Sequence, residues 1–369
     1  MKRNNMLRIP WAKPDLWGNE QDYVAAALTS TWVSGGPFVE RFEQKLAKLL
    51  DVEFACAVAN GTAALHAAYL GLQIHPGDEI IVPGFAFMGA ANIALLVGAV
   101  PVFAEVDPNT WCITADSIEC QLSSRTKAIV VIHSYGNVCD MDSILALANR
   151  KGIPVIEDAA ESFASLYNGR QSGTFGTIGT YSFQATKTIT TGEGGLVVTN
   201  AKDLADRISL YRSHGLLRKR HYWHELPGHN FRITNLQAAL GCAQVEKLDV
   251  IIRERARVYN RYQTRLSRVG GVTLQRFAPE VQPVVWAIAI KLDPVAFPQG
   301  RDEVMAQMQE SGIETRPGFC AASIMEFYRC PSLPICEVLS RQIISLPTFP
   351  TLADEQIELI CKRLAYLRR

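Results

Sequence analysis

The chain has 369 residues, enough for two or three domains. Its 48% apolar and 20% charged residues are those of a globular protein, which excludes intrinsic disorder, collagen-like repeats and coiled coil. Lysine plus arginine total 37 against 36 aspartate plus glutamate. The formal charge of +1 provides no field for a nucleic-acid backbone or an anionic membrane, so any anion it binds is held locally.

No apolar run follows Lys2-Arg3-Asn4-Asn5, so a signal peptide is not expected. The nine cysteines are scattered, odd in number and without a CxxC pair; they read as reduced thiols of a cytoplasmic protein. The seven histidines show no HExxH or other metal spacing, and no metal is expected.

In chain order, Phe38, Phe42, Leu46 and Leu49 line one face of a helix. A strand follows at Glu53 to Ala59, then a helix at Thr62 to Leu72 and a strand at Glu79 to Val82. Ile80 to Ala104 carries no charge and is long enough to cross a bilayer. Pro83, Gly84, Asn92, Gly98 and Pro101 interrupt it, so it reads as strand, helix and strand in a buried core, closing with Val100 to Phe103. Further strands are predicted at Lys127 to Ile132, Ile153 to Ile156, Thr180 to Phe183 and Leu196 to Thr199. Helices are predicted near Met141 to Arg150 and Leu204 to Ser213. This alternation predicts a mainly parallel sheet with helices on both faces.

A polar, aromatic stretch at 214–230 precedes one long helix from about Asn235 to Leu266, with Leu236, Leu240, Ala243 and Val245 on its apolar side. The remainder has a strand at Val284 to Lys291, a helix near Asp302 to Ser311 and a closing helix from Asp354. The division expected is a large α/β domain over residues 1–250 and a smaller α+β domain over 251–369, joined through the long helix.

Lys187 lies between a strand and the Gly192-Glu-Gly-Gly195 turn, where a crowded site can lower its pKa and make it a nucleophilic amine. A surface lysine before a turn is the plainer alternative. Asn60-Gly61-Thr62, between a strand and a helix, offers unobstructed N–H groups and a hydroxyl to a phosphate. It equally suits an ordinary N-cap. Its spacing fits neither a dinucleotide fingerprint nor a P-loop. Asp158 stands at the carboxyl end of a strand, where open α/β sheets bind ligands; there it either keeps a ring nitrogen protonated or caps the next turn. An amine for an aldehyde, a phosphate site and an acid for a pyridine nitrogen together match pyridoxal 5'-phosphate.

The chain resembles the DegT/DnrJ/EryC1/StrS sugar aminotransferases, fold-type I pyridoxal phosphate enzymes, over nearly its whole length. The matching segments are VSGGPFVERFEQKLAKLL, VANGTAALHAAYLGL, PGDEIIVPGFAF, EDAAES, TYSFQATKTITTGEGGLVVTN, HNFRITNLQAALGCAQVEKLD and SLPTFPTL. The resemblance implies a large domain with a mainly parallel seven-stranded sheet sandwiched by helices and a smaller C-terminal α+β domain. It implies that Lys187 bonds the cofactor aldehyde and that Asp158 partners the pyridine nitrogen. Gly61, Thr62 and Ser182 would hold the phosphate, Phe87 would stack on the ring, and Glu161 would lie beside the ring hydroxyl, where many members have glutamine. Asn230 matches a position that reaches the phosphate of the neighbouring subunit, implying a homodimer with shared active sites.

YWHELPGHNFRITN and KTITTGEGG look most like the perosamine-forming members, which aminate C4 of GDP-4-keto-6-deoxymannose. The implied substrates are L-glutamate and a nucleotide-linked 4-keto-6-deoxy sugar. Thr186 departs from the asparagine those enzymes tend to have. Gly318-Phe-Cys-Ala-Ala-Ser follows Arg316-Pro317 where a run ending in Pro-Leu-His is expected, which leaves nucleotide and sugar open. Arg316 is a candidate for a carboxylate or diphosphate, or else a surface ion pair. Trp223 and Trp32 are candidates for the sugar site, or else packing residues. The alternatives are an aminotransferase for a dTDP- or UDP-linked sugar, at C3 or C4, or for a non-nucleotide ketone, and a cofactor-binding regulator without turnover. A 3-dehydratase of the same family would carry histidine where Lys187 stands.

Overall fold

The computed structural model describes residues 8–217 and 219–369. The N-terminal residues on which the signal-peptide reading rests, 1–5, lie outside them.

The first strands are β1 (Phe54–Val58), β2 (Glu79–Pro83), β3 (Val100–Ala104), β4 (Thr126–Ile132) and β5 (Val155–Asp158). A small hairpin, β6 (Leu166–Tyr167) and β7 (Arg170–Gln171), precedes β8 (Ile178–Ser182) and β9 (Gly195–Thr199). The main sheet has seven strands in the order β1-β9-β8-β5-β4-β2-β3, and β9 runs antiparallel to both its neighbours while β8, β5, β4, β2 and β3 pair in parallel. β2, β8 and β9 are buried along their whole length, as the uncharged runs predicted for strands covered on both faces. The span from Ile80 to Ala104 is strand, helix and strand. No helix of the described residues is long and apolar enough to cross a membrane.

The helices of this part are α1 (Glu20–Thr29), α2 (Pro37–Leu50), α3 (Gly61–Gly71), α4 (Gly89–Leu96), the short α5 (Ala115–Glu119), α6 (Met141–Lys151) and α7 (Lys202–Arg212). Local chemistry sets their ends. Pro37 opens α2 and left-handed Asp51 closes it, the Asn60 side chain accepts from Ala63 N–H at the start of α3, and Asp140 caps α6. The core face of α2 is Phe42, Leu46 and Leu50, with Phe38 and Leu49 half-buried at its margin.

The single helix expected over 235–266 is two, α8 (Asn235–Glu246) and α9 (Leu248–Leu266), with a break at Lys247. The buried face of α8 is also not the expected leucine stripe: Ala238, Ala239, Gly241, Cys242 and Ala243 are buried, whereas Leu236, Leu240 and Val245 are half-buried. α8 packs so closely on α2 that a Cβ on Gly241 would lie 2.6 Å from the Phe42 ring. Small residues therefore take the core face.

A second core gathers Val258, Tyr262 and Leu266 of α9 with β12 (Ile288–Leu292), α10 (Arg301–Glu310), β14 (Ile343–Leu346) and α12 (Asp354–Tyr366). Here β10 (Val272–Leu274), β12, β14 and β13 (Arg316–Pro317) form a four-stranded antiparallel sheet, and α11 (Pro334–Gln342) leads into β14. Ile9, from the other end of the chain, also packs into this core. β11 (Val281–Gln282) pairs back with β6. The strand expected from Val284 starts at Ile288. Val284 N–H donates to Ser165 Oγ and the Trp286 indole to Thr186 O, contacts that draw 284–287 toward the large sheet.

Candidate active site

The carboxyl ends of the parallel strands open into a cavity of about 330 Å³, lined by Asn60, Gly61 and Thr62 beyond β1, Phe87 beyond β2, Asp158 and Glu161 at β5, and Ser182 and Lys187 at β8. These residues, singled out from the sequence, thus meet at one place, although they are scattered between positions 60 and 187 of the chain.

One end of the cavity is built by close approach. The start of α3 sits against β8, where a Cβ on Gly61 would lie 2.9 Å from Ser182 Cβ. Asn60 already satisfies Ala63 N–H at 2.8 Å. The Gly61 and Thr62 N–H groups, the Thr62 hydroxyl and Ser182 Oγ remain as donors around one spot at a helix N-terminus, a set suited to a phosphate.

Asp158 is 7% exposed, and its Oδ1 accepts from Ala160 N–H at 3.0 Å. Burial pushes its pKa up, while that N–H and the charge of Lys187 oppose the shift. The N-cap alternative and the cavity-facing role therefore coincide in one side chain. Behind it His133, fully buried, accepts from Cys139 N–H through Nδ1, which leaves Nε2 to donate to Glu157 Oε2 at 2.9 Å. Glu157 accepts in turn from Gly173 and Gly176 N–H.

Lys187 Nζ stands 3.6 Å from the centroid of the Trp286 ring and 3.9 Å from Glu161 Oε1. Burial pulls its pKa below the ordinary lysine value, opposed by Glu161 and Asp158. Burial likewise raises the Glu161 carboxyl to about 7, against the pull of Lys187 and of Tyr135 N–H, which it accepts at 2.8 Å. The site thus holds an amine and two acids whose pKa values all move toward neutrality, the usual mark of proton-transfer chemistry. Among the described residues, no three histidine, cysteine, aspartate or glutamate side chains converge as a metal site.

Four other candidates do not line this cavity. Arg316 pairs with Glu314 at 2.5 Å beside Trp11, half-exposed. Trp223 donates its indole N–H to Glu225 in the 214–230 loop, and Asn230 is exposed, accepting from Arg232. Trp32 is 66% exposed. In their place the wall is made by Trp11, Trp286 and Phe319. Tyr135 stacks on Phe319 at 5.0 Å and on Trp286 at 6.2 Å. These aromatics come from segments far apart in the chain and carry no periodic signature; only tertiary contact identifies them.

A seven-stranded mixed sheet, a smaller α+β unit and a lysine among acids and phosphate donors define a fold-type I pyridoxal phosphate enzyme. The chain belongs to the DegT/DnrJ/EryC1/StrS aminotransferase family, whose profile matches residues 14–365. It is similar to GDP-perosamine synthase of Escherichia coli O157:H7, 40% identical over 362 residues, covering 97% of this chain and 98% of that one. It has the same 40% identity over 366 residues to GDP-perosamine synthase of Caulobacter vibrioides, covering 98% of each. Among solved structures it is similar to the aminotransferase TlmJ from Streptoalloteichus hindustanus, with a TM-score of 0.92 and 30% identity over 97% of this chain and 98% of that one.

Proposed function

We propose that the chain transfers the amino group of L-glutamate to the keto carbon, C4, of a GDP-linked 4-keto-6-deoxy sugar, in the manner of a GDP-perosamine synthase. The observation that carries this reading is the meeting of Lys187, Asp158 and the Gly61–Thr62–Ser182 cradle in one cavity of a chain 40% identical to such synthases over nearly its full length.

Bound here, pyridoxal phosphate supplies an electron-withdrawing ring that takes up the charge left when a proton leaves the donor's α-carbon. Gly61, Thr62 and Ser182 would hold its phosphate, and Phe87 and Glu161 would hold its ring. Asp158 holds a proton on the ring nitrogen, its carboxylate braced by Ala160 N–H and faced by His133. Nζ of Lys187 takes the proton from the α-carbon of glutamate and in the return half gives one to the sugar carbon being aminated. The lowered pKa of this amine supports both roles, since burial leaves more of it neutral and able to accept a proton. Glutamate leaves as 2-oxoglutarate and the ketone as the amine, so atoms and charge balance over the cycle.

Leu28, Trp32, Val33, Phe87, Tyr222 and Trp223 are exposed apolar side chains, and Asn230 is exposed too. They support a homodimer in which Asn230 and the 214–230 loop, with Trp223, complete the partner's site. Arg316 is assigned to the sugar nucleotide. Phe319 in the cavity wall favours a second reading, a sugar linked to another nucleotide, because it lies where the run expected for GDP-sugar enzymes is replaced.

The test is an absorption spectrum of the purified protein, titrated with L-glutamate and then with GDP-4-keto-6-deoxymannose. A visible band that moves to the near ultraviolet with glutamate and returns with the sugar is the expected result. A shift without return rejects that sugar and sends the search to dTDP- and UDP-linked ketones; a band that glutamate leaves unmoved supports the regulator without turnover.

A further inference from the structure

Arg255 lies on α9, outside the cavity, and is 4% exposed. No carboxylate among the described residues pairs with it, and its Nε has no hydrogen-bond partner. Burial pulls its pKa down to about 10, with only the charge of Asp15 acting against that. A buried guanidinium without a counter-ion is costly, and what it touches is therefore informative.

It touches carbonyl oxygens of two separate segments. Nη1 donates to Trp286 O at 3.0 Å and to Val285 O at 3.4 Å, and Nη2 donates to Lys187 O at 3.3 Å. The same two segments are joined once more on the cavity side, where the Trp286 indole N–H donates to Thr186 O at 2.8 Å. Of two successive carbonyls, that of Thr186 is thus tied directly, and that of Lys187 through Arg255, to one residue, Trp286. The ring of that residue lies under Lys187 Nζ.

We propose that Arg255 is a positioning residue for the amine of Lys187: by gripping the carbonyls of Lys187 and Trp286 together it keeps Nζ over the indole and out of water. The guanidinium is suited to this because its fixed fork reaches two carbonyls at once, which an ammonium cannot do with the same geometry. With the grip lost, the 186–187 turn and the 284–287 segment separate, water reaches Nζ, and the amine returns toward an ordinary lysine. The inference rests on the reading of Lys187 as the reacting amine.

The test measures the amine itself. Cofactor-free protein is acetylated with acetic anhydride over a series of pH values, and the Lys187 peptide is quantified by mass spectrometry. Its titration midpoint is expected below that of exposed lysines in the same digest. Arg255→Met is expected to raise the midpoint by about one pH unit or more, roughly a tenfold smaller neutral fraction near pH 8. Arg255→Lys falls between the two, and Trp286→Phe moves the same way by less. Pyridoxal phosphate, titrated by absorbance, is expected to bind Arg255→Met ~10-fold more weakly or worse. General loss of stability would not move the midpoint of a folded protein. An unchanged midpoint in Arg255→Met with its thermal transition retained overturns the proposal. Should that variant not fold, an unchanged midpoint in both Arg255→Lys and Trp286→Phe does so. Borohydride trapping of pyridoxal phosphate on the unaltered protein separates the two ideas, because a label on any other lysine removes the role of Lys187 while the midpoints still report on Arg255.

Discussion

Lys187 and Asp158 stand in the cavity as side chains that few structural contacts depend on, so their replacement should affect chemistry more than folding. Lys187→Ala is expected to abolish amino transfer while the thermal transition stays close to that of the parent; retained transfer would remove the assignment. Asp158→Asn keeps the shape and an acceptor for Ala160 N–H but not the charge, and should lower kcat by ~10³-fold or more, about 4 kcal/mol of transition-state stabilisation. Glu161 makes a different prediction, about stability. Its pKa is raised to about 7 from an ordinary 4.5, so the folded protein holds its proton more tightly than the unfolded chain does. Its contribution is therefore most favourable below about pH 4.5 and declines as pH rises through 7, by on the order of 3 kcal/mol. Glu161→Gln removes that decline. Cofactor-free Glu161→Gln is expected to match the parent's melting temperature at pH 5 and exceed it by several degrees at pH 8; calorimetry at the two pH values decides it.

The elements matter through where their ends fall. α3 begins against β8 only because position 61 lacks a Cβ, and the same closeness brings its N–H groups beside Ser182. Gly61→Ala should push the helix start away and weaken pyridoxal phosphate binding by ~10-fold or more, read by equilibrium titration of the visible band, with secondary structure unchanged by circular dichroism. The start of α8 is set by a capping box in which Thr234 accepts from Gln237 N–H and the Gln237 side chain accepts from Thr234 N–H. Thr234→Ala should cost about 1 kcal/mol in chemical denaturation and leave cofactor affinity unaltered. α9 acts at a distance. Its Arg255 links the small-domain segment 285–286 to the lysine turn, so the second core is coupled to the site through a helix that lines none of the main cavity.

For the whole molecule, the chain presents Asn230 on its surface rather than in its own cavity, and Tyr222 and Trp223 are exposed as well. The proposed sharing of sites between protomers makes a definite prediction. A hybrid of one Lys187→Ala protomer and one Asn230→Ala protomer contains one site with both residues intact, so mixing and refolding the two inactive variants should restore transfer. No recovery in a mixture shown by ultracentrifugation to contain dimers would mean that each protomer builds its site alone.

Much of this protein is legible in its sequence, because its determinants are local. The strand periods, the Asn60 cap before Gly61, Asp158 at a strand end and Lys187 before a glycine turn are each set within a few residues. Parallel βα units then bring strand ends to one edge whatever their helices contain, which is why these distant positions meet. The small-residue face of α8 and the late start of β12 were not legible, since each answers to a neighbour remote in the chain: Phe42 against Gly241, Ser165 and Thr186 against 284–286. Trp11, Trp286, Phe319 and Arg255 belong to the same class. Sequence alone determined the family, the cofactor and most of the residues that gather in the cavity. Only the tertiary structure decided what surrounds the amine, because burial, ring contacts and hydrogen bonds to carbonyls exist between segments and in none of them singly.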